Sequence, residues 1–328
     1  VTVLLVGLGR WGEKHLRVLH EIGVHVLVAD RSAERRAWAV VHGVAERDVL
    51  ADWQAALDHV DAVDIVTPAD SHREIAAAAI GAGRHCFVEK PLAASLDDAR
   101  YLEEVWARSR LVMQVGHVYR FHPVTHALRT ALAEGRVGRV RFATARMSGF
   151  KRPRMDVGVT HTDAIHFFDL FAYLLGRGAT RVFAVQRDYL GRGLDDMSMT
   201  VVHYGDVVTL VETNYFVPGS RRECIVVGDT GSLVADFGAG TVTLHHGEHH
   251  RKIDGGWEAV DTGKEELPTH RQEPLRLELD AFLAACAGRG PNPVPVADAR
   301  HAMEIVTAAA RASTLGRAVT IDEVRRGG

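Results

Sequence analysis

The sequence predicts an α/β plus α+β chain in two parts. The first is an N-terminal Rossmann domain with a doubly wound parallel sheet; the second is a C-terminal α+β domain on a large, open, predominantly antiparallel sheet. Three observations carry this. Short apolar runs alternate with amphipathic helical segments as far as about residue 120. A glycine-rich turn, Gly7-Leu-Gly9-Arg10-Trp11-Gly12, follows the first of these runs directly. Past residue 120, strand-like runs succeed one another across short glycine-bearing turns, the pattern of antiparallel pairing. The expected domains are 1–120 and 121–328, with the closing helices able to pack back on the first.

Val1–Val6 is the opening strand, apolar and rich in β-branched residues. The turn after it has a specific job for each glycine. Gly7 allows the tight exit from the strand, Gly9 lets backbone N–H groups approach a pyrophosphate, and Gly12 lets the next helix pack on the sheet. Arg10 and Trp11 complete that loop, and the helix Glu13–Ile22 offers its N-terminus to the phosphates. The second strand, Val24–Ala29, ends in Asp30, 18 residues after Gly12, where an acid meets a ribose 2′-OH. Asp30 favours NAD; Arg31 beside it can pair with a 2′-phosphate and leaves NADP open. A turn with no ligand is the bland alternative. The remaining strands are Ala62–Val66, Cys86–Val88 and Leu111–Val115, separated by helices such as Ala33–His42, His72–Gly81 and Leu96–Ser109.

After Pro123 come a helix (Val124–Glu134), a strand (Val137–Met147) and a basic loop with Lys151, Arg152 and Arg154. A helix from about Thr162 to Leu175 follows. Strands are then expected at Arg181–Tyr189, Met197–Tyr204, Val207–Phe216, Arg222–Val227, Ser232–Asp236 and Thr241–His246. Two helices, Pro274–Ala287 and Asp298–Leu315, close the chain. A broad sheet covered by helices on one side leaves its other face to be buried, so a homodimer or homotetramer is expected.

A chain of 328 residues is long for one hydrophobic core. The net charge of −3, from 39 basic and 42 acidic side chains, gives no electrostatic case for binding nucleic acid or an anionic membrane. Cys86, Cys224 and Cys286 are widely spaced and odd in number, with no disulfide framework or metal motif, which fits a reducing cytoplasm. No apolar stretch reaches transmembrane length, and the first strand starts at residue 1, so a cytoplasmic protein without a signal peptide is expected.

Candidate chemistry lies in three places. Lys90, in Phe87-Val-Glu89-Lys90-Pro91, sits at the carboxyl end of a parallel strand, where ligands bind in open α/β sheets. There it can polarise a substrate oxygen; alternatively it is a solvated lysine after a strand that Pro91 ends. A sharp turn aiming Lys90 inward predicts a cis Lys90–Pro91 bond. In the helix Thr160–Gly176, Thr162, His166, Asp169 and Tyr173 form one narrow polar stripe on an otherwise apolar surface. His166 is the natural general base, with Asp169 able to orient it, unless the stripe faces bulk water. Asp163 reads first as structural, at N3 of a T-x-x-D capping arrangement begun by Thr160. In Val115–Pro123, His117 can contact sugar hydroxyls and Arg120 can bind a carboxylate or phosphate, or either can hold the two domains together. The run His245-His-Gly-Glu-His-His250 reads as the solvated tip of a hairpin, with no partner cluster for a metal, so no metal is expected. Cys86 reads as core filler.

Together these residues resemble the Gfo/Idh/MocA family of glucose–fructose oxidoreductases and inositol 2-dehydrogenases, over essentially the whole chain. The resemblance rests on the glycine fingerprint with His15, on Thr67-Pro68 with His72, on Glu89-Lys90-Pro91, on Gly116-His117 with Arg120-Phe121, and on His166-x-x-Asp169. It implies an NAD(P)-dependent oxidoreductase moving a hydride between nicotinamide and a carbon of a sugar, nucleotide sugar or cyclitol. It implies Lys90 and His166 as the catalytic pair and Thr67, Pro68 and His72 near the nicotinamide, with Glu89 and Lys90 also among the cofactor-binding residues. Many members carry an aspartate four residues before the histidine. Here that position is Thr162, so either Asp163 substitutes or the relay lacks a carboxylate. Gly116-His117-Val118 and Val159–Asp169 look like members acting on nucleotide-linked amino sugars, such as UDP-N-acetylglucosamine 3-dehydrogenases. Two rival readings use the same fold: a silent NAD(P)-binding sensor, and an enzyme that recycles a tightly held cofactor.

Overall fold

Strand β1 (Thr2–Val6) leads the chain of a computed structural model that describes residues 1–327. Contacts divide the protein into two units: Val1–Val118 with Glu273–Met303, and Tyr119–Gln272 with the residues from Glu304 onward.

In the first unit β1 is followed by α1 (Gly12–Ile22), β2 (His25–Ala29), α2 (Ala33–Val41), β3 (Val49–Leu50), β4 (Ala62–Ile65), α3 (His72–Gly81), β5 (His85–Glu89), α4 (Leu96–Ala107) and β6 (Met113–Gly116). The six strands are parallel, in the order β3-β2-β1-β4-β5-β6. Strands covered on both faces should be apolar throughout, and all four residues of β4 and the last four of β1 are buried. Strand order reverses between β1 and β4, so the carboxyl ends of β1, β4 and β5 surround the crevice in which such sheets bind ligands. The core of this unit also draws on a distant helix: Leu275, Leu279 and Phe282 join Leu5, Leu16, Val28 and Phe87. Phe282 meets Phe87 edge-on at 5.6 Å.

The second unit opens with α5 (Pro123–Ala133) and β7 (Val140–Gly149), followed by a π-helical turn (Thr160–Ala164) and α6 (Ile165–Leu175). Seven strands follow: β8 (Arg181–Arg187), β9 (Met197–Tyr204), β10 (Val207–Asn214), β11 (Ser220–Gly228), β12 (Gly231–Asp236), β13 (Thr241–Arg251) and β14 (Trp257–Leu267). The helix of the first-unit core, α7 (Pro274–Cys286), precedes α8 (Val296–Leu315), then β15 (Val319–Thr320) and α9 (Ile321–Arg326). The nine-stranded sheet runs β14-β13-β12-β11-β7-β10-β9-β8-β15; only β7 and β10 pair in parallel. In β10 the alternate residues Val207, Thr209, Val211 and Thr213 are buried. On the inner face, Tyr204 Oη of β9 donates to the Phe168 carbonyl of α6 at 2.9 Å, and Gln186 N–H donates to Ser313 Oγ of α8 at the same distance.

The β13–β14 region corrects the sequence reading. His245–His250 are not a hairpin tip but lie inside β13, paired with β14, and the chain turns at residues 252–256 instead. Strand β14 had no legible signal because nearly all of it is exposed, and a strand wet on both faces needs no polar–apolar alternation. Strand β7 begins at Val140 rather than Val137. Among the described residues no helix is long and apolar enough to cross a membrane.

Candidate active site

The three glycines of the first turn differ in what confines them. Gly7 adopts φ 96°, and a Cβ there would lie 2.7 Å from the Val66 carbonyl oxygen. At Gly12 a Cβ would fall 2.1 Å from Gly7 O. Gly9 has open space beyond its Cα: no atom lies within 4 Å of where a Cβ would stand. Glycine is therefore demanded from within the fold at 7 and 12. At 9 it leaves the loop bare to something outside, beside the N-terminus of α1, which is what a dinucleotide pyrophosphate requires. Asp30 closes the loop, its carboxylate accepting the Leu8 N–H at 2.7 Å and the Ser32 N–H at 2.8 Å. Arg10 and Arg31 are exposed, and Trp11 is half-buried.

Behind this loop lies a buried chain of charges. His15 is fully buried, with Nδ1 2.8 Å from Asp64 Oδ2 and Nε2 3.2 Å from Glu89 Oε1. Burial by itself would lower its pKa; the two carboxylates overcome that and hold it at about 10, so the ring is a cation donating from both nitrogens. Glu89 Oε1 also accepts from Trp11 Nε1 at 2.7 Å, and Oε2 accepts the Lys90 backbone N–H at 3.1 Å. Despite burial, the His15 partnership keeps the Glu89 carboxyl below the usual range. Glu89, expected among the cofactor-binding residues, thus has its carboxylate engaged inside the protein, where it ties the glycine loop to the main chain of Lys90. Lys90 follows β5 directly and its bond to Pro91 is cis, as expected. Thr67 and Pro68 follow β4; Ser71 Oγ donates to Thr67 Oγ1 at 2.7 Å. His72 is buried and its ring nitrogens lie 3.0 and 2.9 Å from the carbonyl oxygens of Pro91 and Thr67, so it braces both strand ends against each other. Burial pushes its pKa down. His117, just past β6, is buried, and so is Cys86, whose thiol burial pushes up.

In the second unit three members of the polar stripe, Thr162, His166 and Asp169, are buried, and Tyr173 is half-buried. The N-terminal turn departs from expectation. The Ile165 N–H reaches back five residues to Thr160 O, a π-type bond often found at functional sites. The T-x-x-D capping reading fails there. Thr160 gives its N–H and hydroxyl to Asp195, at 2.8 and 2.6 Å, while the Asp163 carboxylate accepts from Lys151 Nζ at 2.7 Å. Thr162 Oγ1 shares a hydrogen bond of 2.7 Å with the Tyr215 hydroxyl. The two oxygens of Asp169 take a bidentate fork from Arg120, at 2.8 and 2.5 Å. Arg120 thus pairs with a residue of its own unit. His166 lies against Tyr119, with ring centroids 4.7 Å apart and planes 21° from parallel. The pairings of Lys151, Tyr215 and Tyr119 were not legible in the sequence, because nothing local marks a side chain whose partner lies on another segment.

Two family models match the chain: "oxidoreductase family, NAD-binding Rossmann fold" over residues 1–117 and "oxidoreductase family, C-terminal alpha/beta domain" over residues 129–321. The UDP-N-acetylglucosamine 3-dehydrogenase of Acidithiobacillus ferrooxidans is 30% identical over 293 residues, spanning 88% of this chain and 89% of its own. An inositol 2-dehydrogenase of Rhizobium meliloti is 30% identical over 230 residues, covering 66% of this chain and 68% of its own. Levoglucosan dehydrogenase, solved with NADH and levoglucosan, superposes with a TM-score of 0.83 at 22% identity, covering 98% of this chain and 99% of that one. With an NAD-binding Rossmann unit and the paired C-terminal domain both present in order, the chain belongs to the Gfo/Idh/MocA family of NAD-binding oxidoreductases.

Proposed function

We propose that this oxidoreductase oxidises or reduces one carbinol carbon of a sugar, nucleotide sugar or cyclitol, with Lys90 and His166 as its reactive side chains. The observation that supports this most is the position of Lys90, directly after β5 and beside the reversal of strand order. Bound NAD supplies the hydride acceptor. The chain's residues do the rest. His166 takes the hydroxyl proton as the carbinol carbon is oxidised, and the Lys90 ammonium stabilises the developing oxyanion. Asp163, held by Lys151, is the carboxylate of the site in place of Thr162, whose hydroxyl is engaged by Tyr215. His117 and Lys151 contact substrate hydroxyls. Gly7, Gly9, Arg10, Trp11 and Gly12 receive the pyrophosphate, and Thr67, Pro68 and His72 shape the nicotinamide end. Asp30 at the end of β2 selects NAD over NADP by repelling a 2′-phosphate; a higher kcat/KM with NADP would overturn that choice.

The test is NADH formation at 340 nm with myo-inositol, levoglucosan and UDP-N-acetylglucosamine, the last two being compounds named for similar proteins. Turnover of one of them with NAD is expected. NADH binding with no turnover on any polyol, sugar or nucleotide sugar would favour a sensor instead.

The open face of the second-unit sheet is the dimer surface in this reading. Phe183, Val201, Leu210, Thr144, Ile225 and Val234 stand opposite one another in register across six strands. Phe183, Leu210, Ile225 and Val234 are each more than a third exposed, forming an apolar band of the kind that pairs copies. Light scattering should give a dimer or tetramer, and Leu210→Arg should yield monomers. Three free cysteines, two of them buried, suit a cytoplasmic setting.

A further inference from the structure

Tyr119 lies at the centre of an aromatic stack of which the proposed reaction uses only His166. On one side is His166, centroids 4.7 Å apart at 21°; on the other is Phe237, 4.6 Å away at 12°. Phe167 closes the edge, meeting Tyr119 at 5.7 Å and 90° and Phe237 at 5.9 Å and 80°. All four rings are buried. The stack is anchored through the main chain. The Tyr119 carbonyl accepts from Thr125 Oγ1 at 2.6 Å, and the Phe237 N–H donates to Arg222 O at 2.7 Å.

A histidine backbone fixes its imidazole poorly, because the terminal torsion of the ring is broad and roughly two-fold. A base that must present one nitrogen to a hydroxyl needs that torsion set from outside. Offset-stacked rings do this, since rotating the imidazole out of plane breaks the contact along its whole face. Resting on the assignment of His166 as base, we propose that Tyr119 is a positioning residue: its ring, backed by Phe237, holds the His166 imidazole in the plane needed for proton transfer. The ring is the agent and not the hydroxyl. The Tyr119 Oη is buried with no hydrogen-bond partner among the described residues, so a phenylalanine would serve equally.

The test compares Tyr119→Phe, Tyr119→Leu and His166→Asn, using NAD and whichever of myo-inositol, levoglucosan or UDP-N-acetylglucosamine the wild-type chain oxidises fastest. Tyr119→Phe should keep kcat within about twofold, because the face contact survives. Tyr119→Leu should lower kcat on the order of ten- to a hundredfold, the scale of a misplaced reacting group, while KM for NAD and NADH fluorescence binding stay unchanged. It should cost nothing further in the His166→Asn background. A second readout needs no turnover: the carbon-bound ring protons of His166, identified by their loss in His166→Asn, should lie upfield through the tyrosine ring current and move downfield in Tyr119→Leu only. If the leucine variant does not fold, Phe237→Leu carries the test, with a several-fold loss of kcat expected. Unchanged kcat in Tyr119→Leu, equal damage in Tyr119→Phe, or an undiminished loss in the His166→Asn background would overturn the proposal. Full activity of His166→Asn would instead remove the base assignment beneath it.

Discussion

The two units hold their proposed reactive groups by different means. In the first, backbone geometry dominates: Lys90 is placed by the end of β5, the loop by three glycines, and the buried chain Asp64–His15–Glu89 locks one to the other. In the second, side chains hold side chains. His166 leans on Tyr119, Asp163 on Lys151, and Asp169 on Arg120, each pair joining separate segments. A backbone-built site tolerates variation in its surface residues but not in its glycines and strand ends. A site built from side-chain pairs is retuned by single substitutions, which suits the part of an enzyme that must recognise the substrate.

The sharpest way to break this contrast is to remove one reactive group from each unit. Lys90→Ala should lower kcat by roughly two or more orders of magnitude, the scale of losing an oxyanion donor. His166→Ala should lower it roughly 10²–10⁴-fold, the range of a general base, with NADH affinity unchanged. Steady-state rates alongside NADH titration read both; a His166→Ala enzyme turning over near the wild-type rate would transfer the base role to Lys90 or Asp163.

Next in size is a split between two neighbouring glycines. Gly12→Ala should destabilise the protein by about 1–3 kcal/mol or more, since its Cβ would strike Gly7 O. Gly9→Ala should leave the melting temperature almost unmoved and weaken NADH binding by roughly tenfold or more, because its methyl would stand where phosphate approaches. Loss of stability at position 9 would mean that the loop is confined from within after all.

This contrast also explains how far the sequence could be read. The Rossmann order, Lys90 at a strand end and the cis Lys90–Pro91 bond follow from local patterns: apolar strands, glycine spacing and a proline. The burial of the His166 stripe was open in the sequence, because periodicity locates a face without saying what covers it. The capping arrangement expected of Asp163 is absent, since T-x-x-D is a common helix start and only Lys151, 12 residues earlier, shows where its carboxylate goes. Glu89 presents the same difficulty from the other side. Its partners Trp11 and His15 are 78 and 74 residues away, and no local rule joins them.

Asp163→Asn tests the side-chain-built unit with a smaller effect. A capping residue would lower stability modestly and spare kcat, whereas a site carboxylate should do the reverse. The expected result is a kcat loss of about tenfold or more, with stability changed by less than about 1 kcal/mol because Lys151 is half-exposed. Lys151→Met should follow it in direction, and the double variant should lose little beyond either single one.

The mildest effects near neutral pH are in stability, where one histidine from each unit should act at opposite ends of the range. His15 in the first unit is held at about 10, above its unfolded value of 6.5. Its contribution is complete below pH 6.5 and is lost as pH rises towards about 10, at up to ~1.4 kcal/mol per pH unit. His122 in the second unit, where Nδ1 accepts the Val124 N–H to cap α5, is lowered by burial to about 4. Its contribution is present above pH 6.5 and lost as pH falls towards about 4, because the unfolded chain takes up the proton first. Denaturant melts from pH 4 to 10 should therefore show greatest stability near pH 6.5. His15→Gln should weaken the alkaline limb and leave the acid limb standing; His122→Asn, which keeps a capping oxygen, should weaken the acid limb, to which buried His72 of the first unit also contributes. If either substitution flattens both limbs together, the two units do not carry separate proton-linked stability, and the contrast drawn between their sites would not extend to how each one holds its fold.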